Sequence, residues 1–250
     1  MFSIICVYNN ENILNEYLLK SLSIQNNDYE LILLNNSNNT FKSASEALNY
    51  CGSLANREYL IFSHQDISFN SPNFLNDLSS KICSLDKFGA VGVAGRTAEG
   101  TYSNIKHGLE PSYAGDYRIL EPLSVQTLDE CFVVIPKDIF RLFKFDPITC
   151  QNWHLYVVDY CLNIKRNNND VYVIPIDLYH RSKGYSMSIG YYLTLNNISN
   201  KYRNDFDYIF CIGGSWNTNS SIWWQLLVKK IKHKKNNIIT KLKRIKWRLH

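Results

Sequence analysis

What most constrains this chain is an alternation in its first hundred residues. Short apolar runs alternate with stretches whose apolar positions recur at helical spacing. Residues 3–9 read as a first strand, and Ile13, Leu14, Tyr17, Leu18 and Leu22 place one apolar stripe on a helix. Residues 29–34 form a second strand, Ala44, Ala47, Leu48 and Cys51 a second helical stripe, and 59–63 a third strand. Ser71-Pro72 reads as an N-cap followed by proline at the first helical position, with Phe74, Leu75, Leu78 and Ile82 continuing that helix. A fourth strand spans 89–95, where small residues allow close backbone approach. Parallel strands need a long crossover connection, and a helix supplies it. The alternation therefore predicts an α/β fold, Rossmann-like and doubly wound around a mostly parallel sheet.

The second half is less regular. Residues 97–123 show no clear period and read as a long loop or flap. Residues 131–135 form a strand, Pro136 opens a short helix to about Phe143, 153–167 read as a helix, and 171–176 as another strand. No internal repeat is present.

The third strand ends abruptly in imidazole, amide and carboxylate: His64-Gln65-Asp66. Open α/β sheets bind ligands outside the carboxyl ends of their strands. Residues two apart in extended chain point to the same side, so His64 and Asp66 face one another's space. An imidazole beside a carboxylate suits a divalent cation such as Mn²⁺ or Mg²⁺, with phosphate oxygens completing its shell. The competing reading is a polar turn after a strand.

Composition narrows the class. A hydrophobic fraction of 45% with 14% aromatic residues supports a packed core. Seven scattered cysteines without a Cys-x-x-Cys pair read as reduced thiols in a cytosolic protein, not as a zinc site or disulfide framework. The chain opens directly on a strand, leaving no room for a secretory signal, and no apolar run is long enough to span a bilayer. The net charge of +5 is segregated: ten Lys/Arg and no Asp/Glu lie between 222 and 250, leaving 17 basic against 22 acidic groups, a net −5, in residues 1–221. Trp223, Trp224, Leu226, Leu227 and Ile231 lead into Lys229–Lys235, and Ile238, Leu242, Ile245 and Leu249 fall on one helical face beyond. That pattern suits a basic amphipathic helix lying on an anionic membrane surface. Phosphate binding alone gives the apolar face and the tryptophans no role, so nucleic acid is not the expected partner.

The order of parts resembles the catalytic domain of family-2-type glycosyltransferases with the GT-A fold, and more narrowly bacterial capsule-type members, over roughly residues 2–184. The first strand ending at Tyr8-Asn9 is similar to the strand that contacts the nucleotide. Asn35-Asn36 stands where the family usually has an acidic pair holding base and ribose. His64-Gln65-Asp66 occupies the Asp-x-Asp position, often His-Gln-Asp in capsule-type members. The stretch 153–162 resembles the later acidic motif that supplies a catalytic base, which assigns that role to Asp159. His180-x-Ser182-x-Gly184 looks like the site from which a distal histidine returns toward metal or diphosphate.

The resemblance implies a metal-dependent, inverting transferase using a nucleotide sugar, by first expectation UDP-linked, and a glycan or lipid-linked acceptor in surface polysaccharide synthesis. Such an enzyme would work on the cytoplasmic face of the cell membrane. Tyr8, Asn9, Asn35, Asn36, His64, Gln65 and Asp66 are then the nucleotide-binding candidates. Asp66, His64 and His180 are the metal candidates, and Asp129, Glu130 and His154 the acceptor or sugar contacts. Arg96, Arg181 and Lys183 are phosphate candidates. Residues 1–205 form the catalytic domain, with a nucleotide half to 100 and an acceptor half beyond, and 206–250 the membrane-associating segment. The rival readings are a nucleotidyltransferase and a non-catalytic membrane- or nucleic-acid-binding module on the same fold.

Overall fold

The computed structural model describes residues 1–182, 184 and 187–232. In chain order the first half comprises β1 (Phe2–Tyr8), then helix α1, built from Glu11–Leu14, a π-helical turn Asn15–Leu19 and Lys20–Leu22. β2 (Glu30–Asn35), α2 (Ala44–Leu54), β3 (Tyr59–Ser63), β4 (Ile67–Phe69), α3 (Phe74–Cys83) and β5 (Phe88–Gly92) follow. Short strands come next: β6 (Ala94–Arg96), β7 (Thr101–Ser103), β8 (Ile105–His107), β9 (Ser112–Tyr113), β10 (Leu123–Ser124) and β11 (Thr127–Leu128). The chain continues through β12 (Phe132–Pro136), α4 (Lys137–Leu142), α5 (Tyr156–Arg166), β13 (Asp170–Val173) and β14 (Leu178–His180). It closes with α6 (Ile189–Tyr202), the hairpin β15 (Tyr208–Cys211) and β16 (Gly214–Asn217), and a helix described over 222–232.

The central sheet has seven strands in the order β10-β13-β5-β12-β3-β1-β2. β1 pairs in parallel with β2 and β3, and β13 with β5, whereas β12 runs antiparallel between β3 and β5 and β10 antiparallel at the edge. Five strands thus point one way. Alternation along the strands divides the apolar residues between two faces. Ile4, Cys6, Ile61 and Val134 pack with Leu14, Leu18 and Leu22 of α1 and Leu75, Leu78 and Ile82 of α3. Ile5, Leu60, Phe62 and Val133 pack instead with Leu48 of α2, Phe140 of α4, Val157 of α5 and Leu195 of α6. Burial on both faces is why these strands are apolar at nearly every position.

The stretch 97–123 is not a bare flap. It contributes β7 to a three-stranded sheet with β6 and β11, and β8 and β9 to a four-stranded sheet with β14 and β4. Strands of two or three residues are too short to show a period, which is why they escape a sequence reading. The fourth strand divides at Val93, its second half leaving the central sheet for the three-stranded one. Ser71 is not a helix cap: its hydroxyl accepts from Asn73 N at 3.1 Å, and α3 starts after Asn73. The helix expected over 153–167 starts at Tyr156, because Leu155 takes a left-handed conformation at φ 63°.

The expected boundary at 205 falls inside the fold. Gln126 Nε2 donates to Tyr208 O at 2.9 Å and Thr127 Oγ1 to Phe210 O at 2.5 Å, binding the β15–β16 hairpin to the strand before Asp129. Ile209, Cys211, Trp216 and Ile222 are all core residues. The proposed membrane segment therefore begins no earlier than the last helix, and its portion from 233 lies outside the described residues.

Candidate active site

The antiparallel pairing of β12 on β3 sets Phe132 opposite Ser63, and His64 N donates to Cys131 O at 2.9 Å. That register puts the 129–131 turn beside the His64–Asp66 segment at the carboxyl end of β3. From the other side β14 pairs with β4 in the register His180 opposite Ile67, returning His180 to Asp66. His64, Asp66 and His180 each offer a ligand atom, and these atoms lie within 4.8 Å of one another. Asp66 Oδ1 is 3.2 Å from His180 Nε2, while Asp66 Oδ2 accepts from Ser182 N at 3.2 Å. Ser182 Oγ lies 3.1 Å from His180 Nε2, and Arg181 N donates to Asp66 O at 3.0 Å.

The charges in this triad follow from burial set against partners. Burial alone would raise the Asp66 carboxyl, but the hydrogen bond and charge of His180 and the charge of His64 outweigh it, leaving it at about 2. Burial would lower His180, and the Asp66 hydrogen bond and charge reverse that, so it sits above its usual value. His64 goes the other way: burial and the neighbouring His180 lower it, with Asp66 and Asp129 opposing too weakly. One imidazole is thus shifted toward its neutral form, and the other, beside the carboxylate, is shifted the opposite way. Two imidazoles and a carboxylate form a donor set that fits Mn²⁺.

Gln65 is a positioning residue. Its Oε1 accepts from Asn9 N at 3.1 Å and Asn10 N at 3.0 Å, and its Nε2 donates to Asn9 Oδ1 at 2.9 Å. It fixes the His64–Asp66 turn to the end of β1, where Tyr8 and Asn9 lie. Asn36 is buried, and its Oδ1 accepts from Phe41 N while Nδ2 donates to Phe41 O, tying its amide to the loop after β2. Asn35 is exposed and accepts from Ser37 N at 2.9 Å, leaving its amide N–H groups available.

The residues expected to contact acceptor or sugar are Asp129, Glu130 and His154. Asp129 Oδ1 accepts from Cys131 N at 2.9 Å, and its charge reaches both His64 and His180. Burial lowers the proton affinity of His154, whose Nε2 lies 3.2 Å from Ser188 Oγ. Glu130 lies between β11 and β12, its carboxyl facing the first amides of α5. Burial and then Asp129 push its carboxyl up to about 8, against the lowering influence of the Tyr156, Leu155 and Val157 amides. Its Oε1 is buried without a hydrogen-bond partner.

Asp159 occupies a different setting from the one expected of a base. It is 2% exposed, and both its oxygens accept from Lys201 Nζ, at 2.8 and 3.0 Å. Lys201 also donates to Asp146 at 2.9 Å, and Tyr202 Oη donates to Asp159 O at 3.0 Å. A base needs a lone pair facing the acceptor, and Asp159 has both oxygens occupied from α6. The described contacts do not bring it to the His64–Asp66–His180 cluster.

Arg96 donates through Nη1 to Thr101 Oγ1 at 2.8 Å, and the Arg181 guanidinium lies 5.9 Å over the Tyr17 ring; Lys183 lies outside the described residues. The structure adds a stacked pair that the sequence reading missed, Tyr17 and Tyr179, with ring centroids 6.1 Å apart beside His180. Tyr17 comes from the π-helical turn, a feature that often marks functional sites. Its apolar helical spacing hid it among core residues.

The sequence profile of a glycosyltransferase-like family matches residues 3–206. The chain belongs to that family. Its fold is that of GT-A glycosyltransferases, as three solved structures show. Staphylococcus aureus TarS 1-349 in complex with UDP-GlcNAc superposes with a TM-score of 0.58 at 16% identity, over 82% of this chain and 67% of that one. GalNAc-T7 with UDP, GalNAc and Mn²⁺ gives 0.57 at 12% identity, over 80% of this chain and 48% of that one. The mannosyltransferase PcManGT of Pyrobaculum calidifontis, with GDP-Man and Mn²⁺, gives 0.56 at 14%, over 82% and 64%. The chain thus spans about two thirds or less of each of these solved chains. No curated protein matches it by sequence.

Proposed function

We propose that this glycosyltransferase-like protein is a metal-dependent, inverting enzyme moving a sugar from a nucleotide-sugar donor to a glycan or lipid-linked acceptor in bacterial surface polysaccharide synthesis. The observation that carries the reading is the convergence of His64, Asp66 and His180 at the carboxyl edge of β3, in a GT-A sheet. TarS and GalNAc-T7 were solved with UDP-GlcNAc and UDP, so a UDP-sugar is the donor proposed here. His64, Asp66 and His180 would hold the cation, and two imidazole nitrogens favour Mn²⁺ over Mg²⁺, which prefers oxygen ligands. A divalent cation there neutralises charge on the departing diphosphate.

The chain's own residues do the rest. Gln65 locks the ligand-bearing turn to β1, and Ser182 orients Asp66 and His180. Tyr8, Asn9 and Asn35 border the space at the ends of β1 and β2, where the nucleoside would lie. Asp129 and His154 line the acceptor side. The protein would work at the inner face of the cell membrane, where the exposed Trp223 and Trp224 meet lipid headgroups. Among the described residues no helix is long and apolar enough to cross a membrane.

The test titrates UDP-N-acetylglucosamine and GDP-mannose into the protein with and without Mn²⁺, following bound donor and released nucleoside diphosphate. Donor binding should require Mn²⁺, and Asp66→Ala should weaken it at least about 10-fold, in line with the loss of a ligand group. Equal donor binding in chelator and in Asp66→Ala would sink the reading. A nucleotidyltransferase would instead release pyrophosphate from a nucleoside triphosphate, and a non-catalytic module would hold donor and release nothing.

A further inference from the structure

The structure removes one carboxylate from the role of base and offers another. Glu130 closes the turn that β12 brings beside the metal-ligand triad, immediately after Asp129, whose charge reaches His64 and His180. The residue as a whole is partly exposed, yet its Oε1 is buried and accepts no hydrogen bond from any described group. Buried acceptors are ordinarily satisfied, and one left open beside a binding site points to a donor that arrives with a ligand. Tyr156 Oη, which donates to Glu130 O at 3.3 Å, fixes the backbone of the turn, and the Tyr156, Leu155 and Val157 amides face the carboxyl without giving Oε1 a partner.

Resting on the glycosyltransferase reading, we propose that Glu130, not Asp159, takes the proton from the acceptor hydroxyl. The acceptor O–H proton passes to the Glu130 carboxylate as the oxygen bonds to the anomeric carbon. The bond from that carbon to the diphosphate oxygen breaks, and its electron pair leaves with the nucleoside diphosphate. No further reactant is needed. The groups facing Glu130 are Asp129 on its own turn, Tyr156 of α5, Tyr191 of α6, and Cys150. Burial raises both phenols and the Cys150 thiol, so they stay neutral, and Asp129 supplies the neighbouring negative charge. That setting raises the carboxyl to about 8, a value near the working pH at which a general base is most effective.

The experiment measures UDP release from UDP-N-acetylglucosamine with Mn²⁺, water serving as acceptor, for wild type, Glu130→Gln, Glu130→Asp and Asp159→Asn between pH 6 and 9.5. Donor affinity is measured on each by calorimetry. Glu130→Gln should bind donor as wild type does yet release UDP on the order of 100- to 10,000-fold more slowly, the usual share of general base catalysis. The carboxylate form grows as pH rises, so the wild-type rate should climb through about pH 8 and then level. Glu130→Asp, if Glu130→Gln fails to fold, should keep measurable turnover with that midpoint displaced. UDP release by Glu130→Gln at the wild-type rate, or a pH profile identical in all variants, overturns this inference alone. A wild type that binds no donor, or binds it and releases no UDP, overturns the glycosyltransferase reading and this inference with it.

Discussion

The ammonium of Lys201 lies between Asp159 and Asp146, and one lysine against two carboxylates decides what Asp159 can do. Burial raises Asp159 and the Lys201 charge lowers it, with burial the larger, so the ion pair sits in a costly setting. Removing one partner of a buried pair leaves an uncompensated charge, an effect of about 3–5 kcal/mol. Lys201→Met should therefore destabilise the fold by about 3 kcal/mol at neutral pH, measured by urea unfolding, the figure being set at the low end because Lys201 is partly exposed. Lys201→Met with Asp159→Asn should recover most of that loss. A Lys201→Met protein as stable as wild type would show that the contact is not structural. The sequence made Asp159 a burial-shifted carboxylate, and the direction agrees with the structure. It could not display the partner, which lies 42 residues away on a helix that periodicity did not reveal. Glu130 was legible only as one of two acids before a strand. Its carboxyl faces the Leu155, Tyr156 and Val157 amides where α5 starts three residues late, after a left-handed Leu155, a backbone conformation that no residue pattern announces.

Helices announced themselves where their ends and stripes agreed. α2 begins after Ser43, whose hydroxyl accepts from Glu46 N at 3.2 Å, and its buried face is Ala44, Ala47, Leu48 and Cys51, the stripe read from spacing alone. Ser43→Ala removes that acceptor from an otherwise orphan amide and should lower stability by about 1 kcal/mol. A shift in the urea midpoint with unchanged slope would confirm it, and no shift would mean that Ala44 N, bonded to Asn152 O at 3.1 Å, already secures the helix start. α6 escaped because its inward residues Tyr191, Leu195, Ile198 and Tyr202 are diluted by Thr194 and Ser199, which also face the fold. Asn152 donates to Gly190 O and Thr194 Oγ1, so polar residues there are satisfied by packing partners and not by solvent. The short strands of 97–123 were unreadable for a different reason: β7 takes its register from β6 and β8 from β14, not from their own pattern. The three strands that form the nucleotide edge needed no such outside help, which is why the candidate site could be placed on the sequence before its acceptor half could.

At the scale of the whole molecule the charge is divided, an acidic globule of net −5 carrying ten basic residues after 221. The last helix makes the division geometric. At 3.6 residues per turn, Trp223, Leu227, Ile231 and Trp224 fall within an arc of about 100°. All four are exposed, Trp224 at 61% and Ile231 at 57%. Ile222 is buried, and Leu226 packs against the core from the opposite side. Lys229 is occupied, its ammonium 3.3 Å over the Trp216 ring and donating to Ser215 O at 3.0 Å, so it anchors the helix to the hairpin. That leaves Lys230 and Lys232 as the exposed cations of the described helix beyond this contact with the hairpin. Each is worth about 1 kcal/mol at an anionic surface, and each buried aromatic side chain about 1.5–3 kcal/mol. The tryptophans therefore outweigh the two lysines, and the expectation divides accordingly. In co-sedimentation with phosphatidylglycerol vesicles, Trp223→Ser with Trp224→Ser should lower partitioning by about 100-fold, on the aromatic figure. Lys230→Gln with Lys232→Gln should lower it by about 10- to 30-fold and flatten its dependence on salt, as two screened charges would. Full partitioning by the tryptophan variant would remove the membrane from this face. Partitioning unchanged alongside loss of a dimer in analytical ultracentrifugation would assign the face to a second copy of the chain.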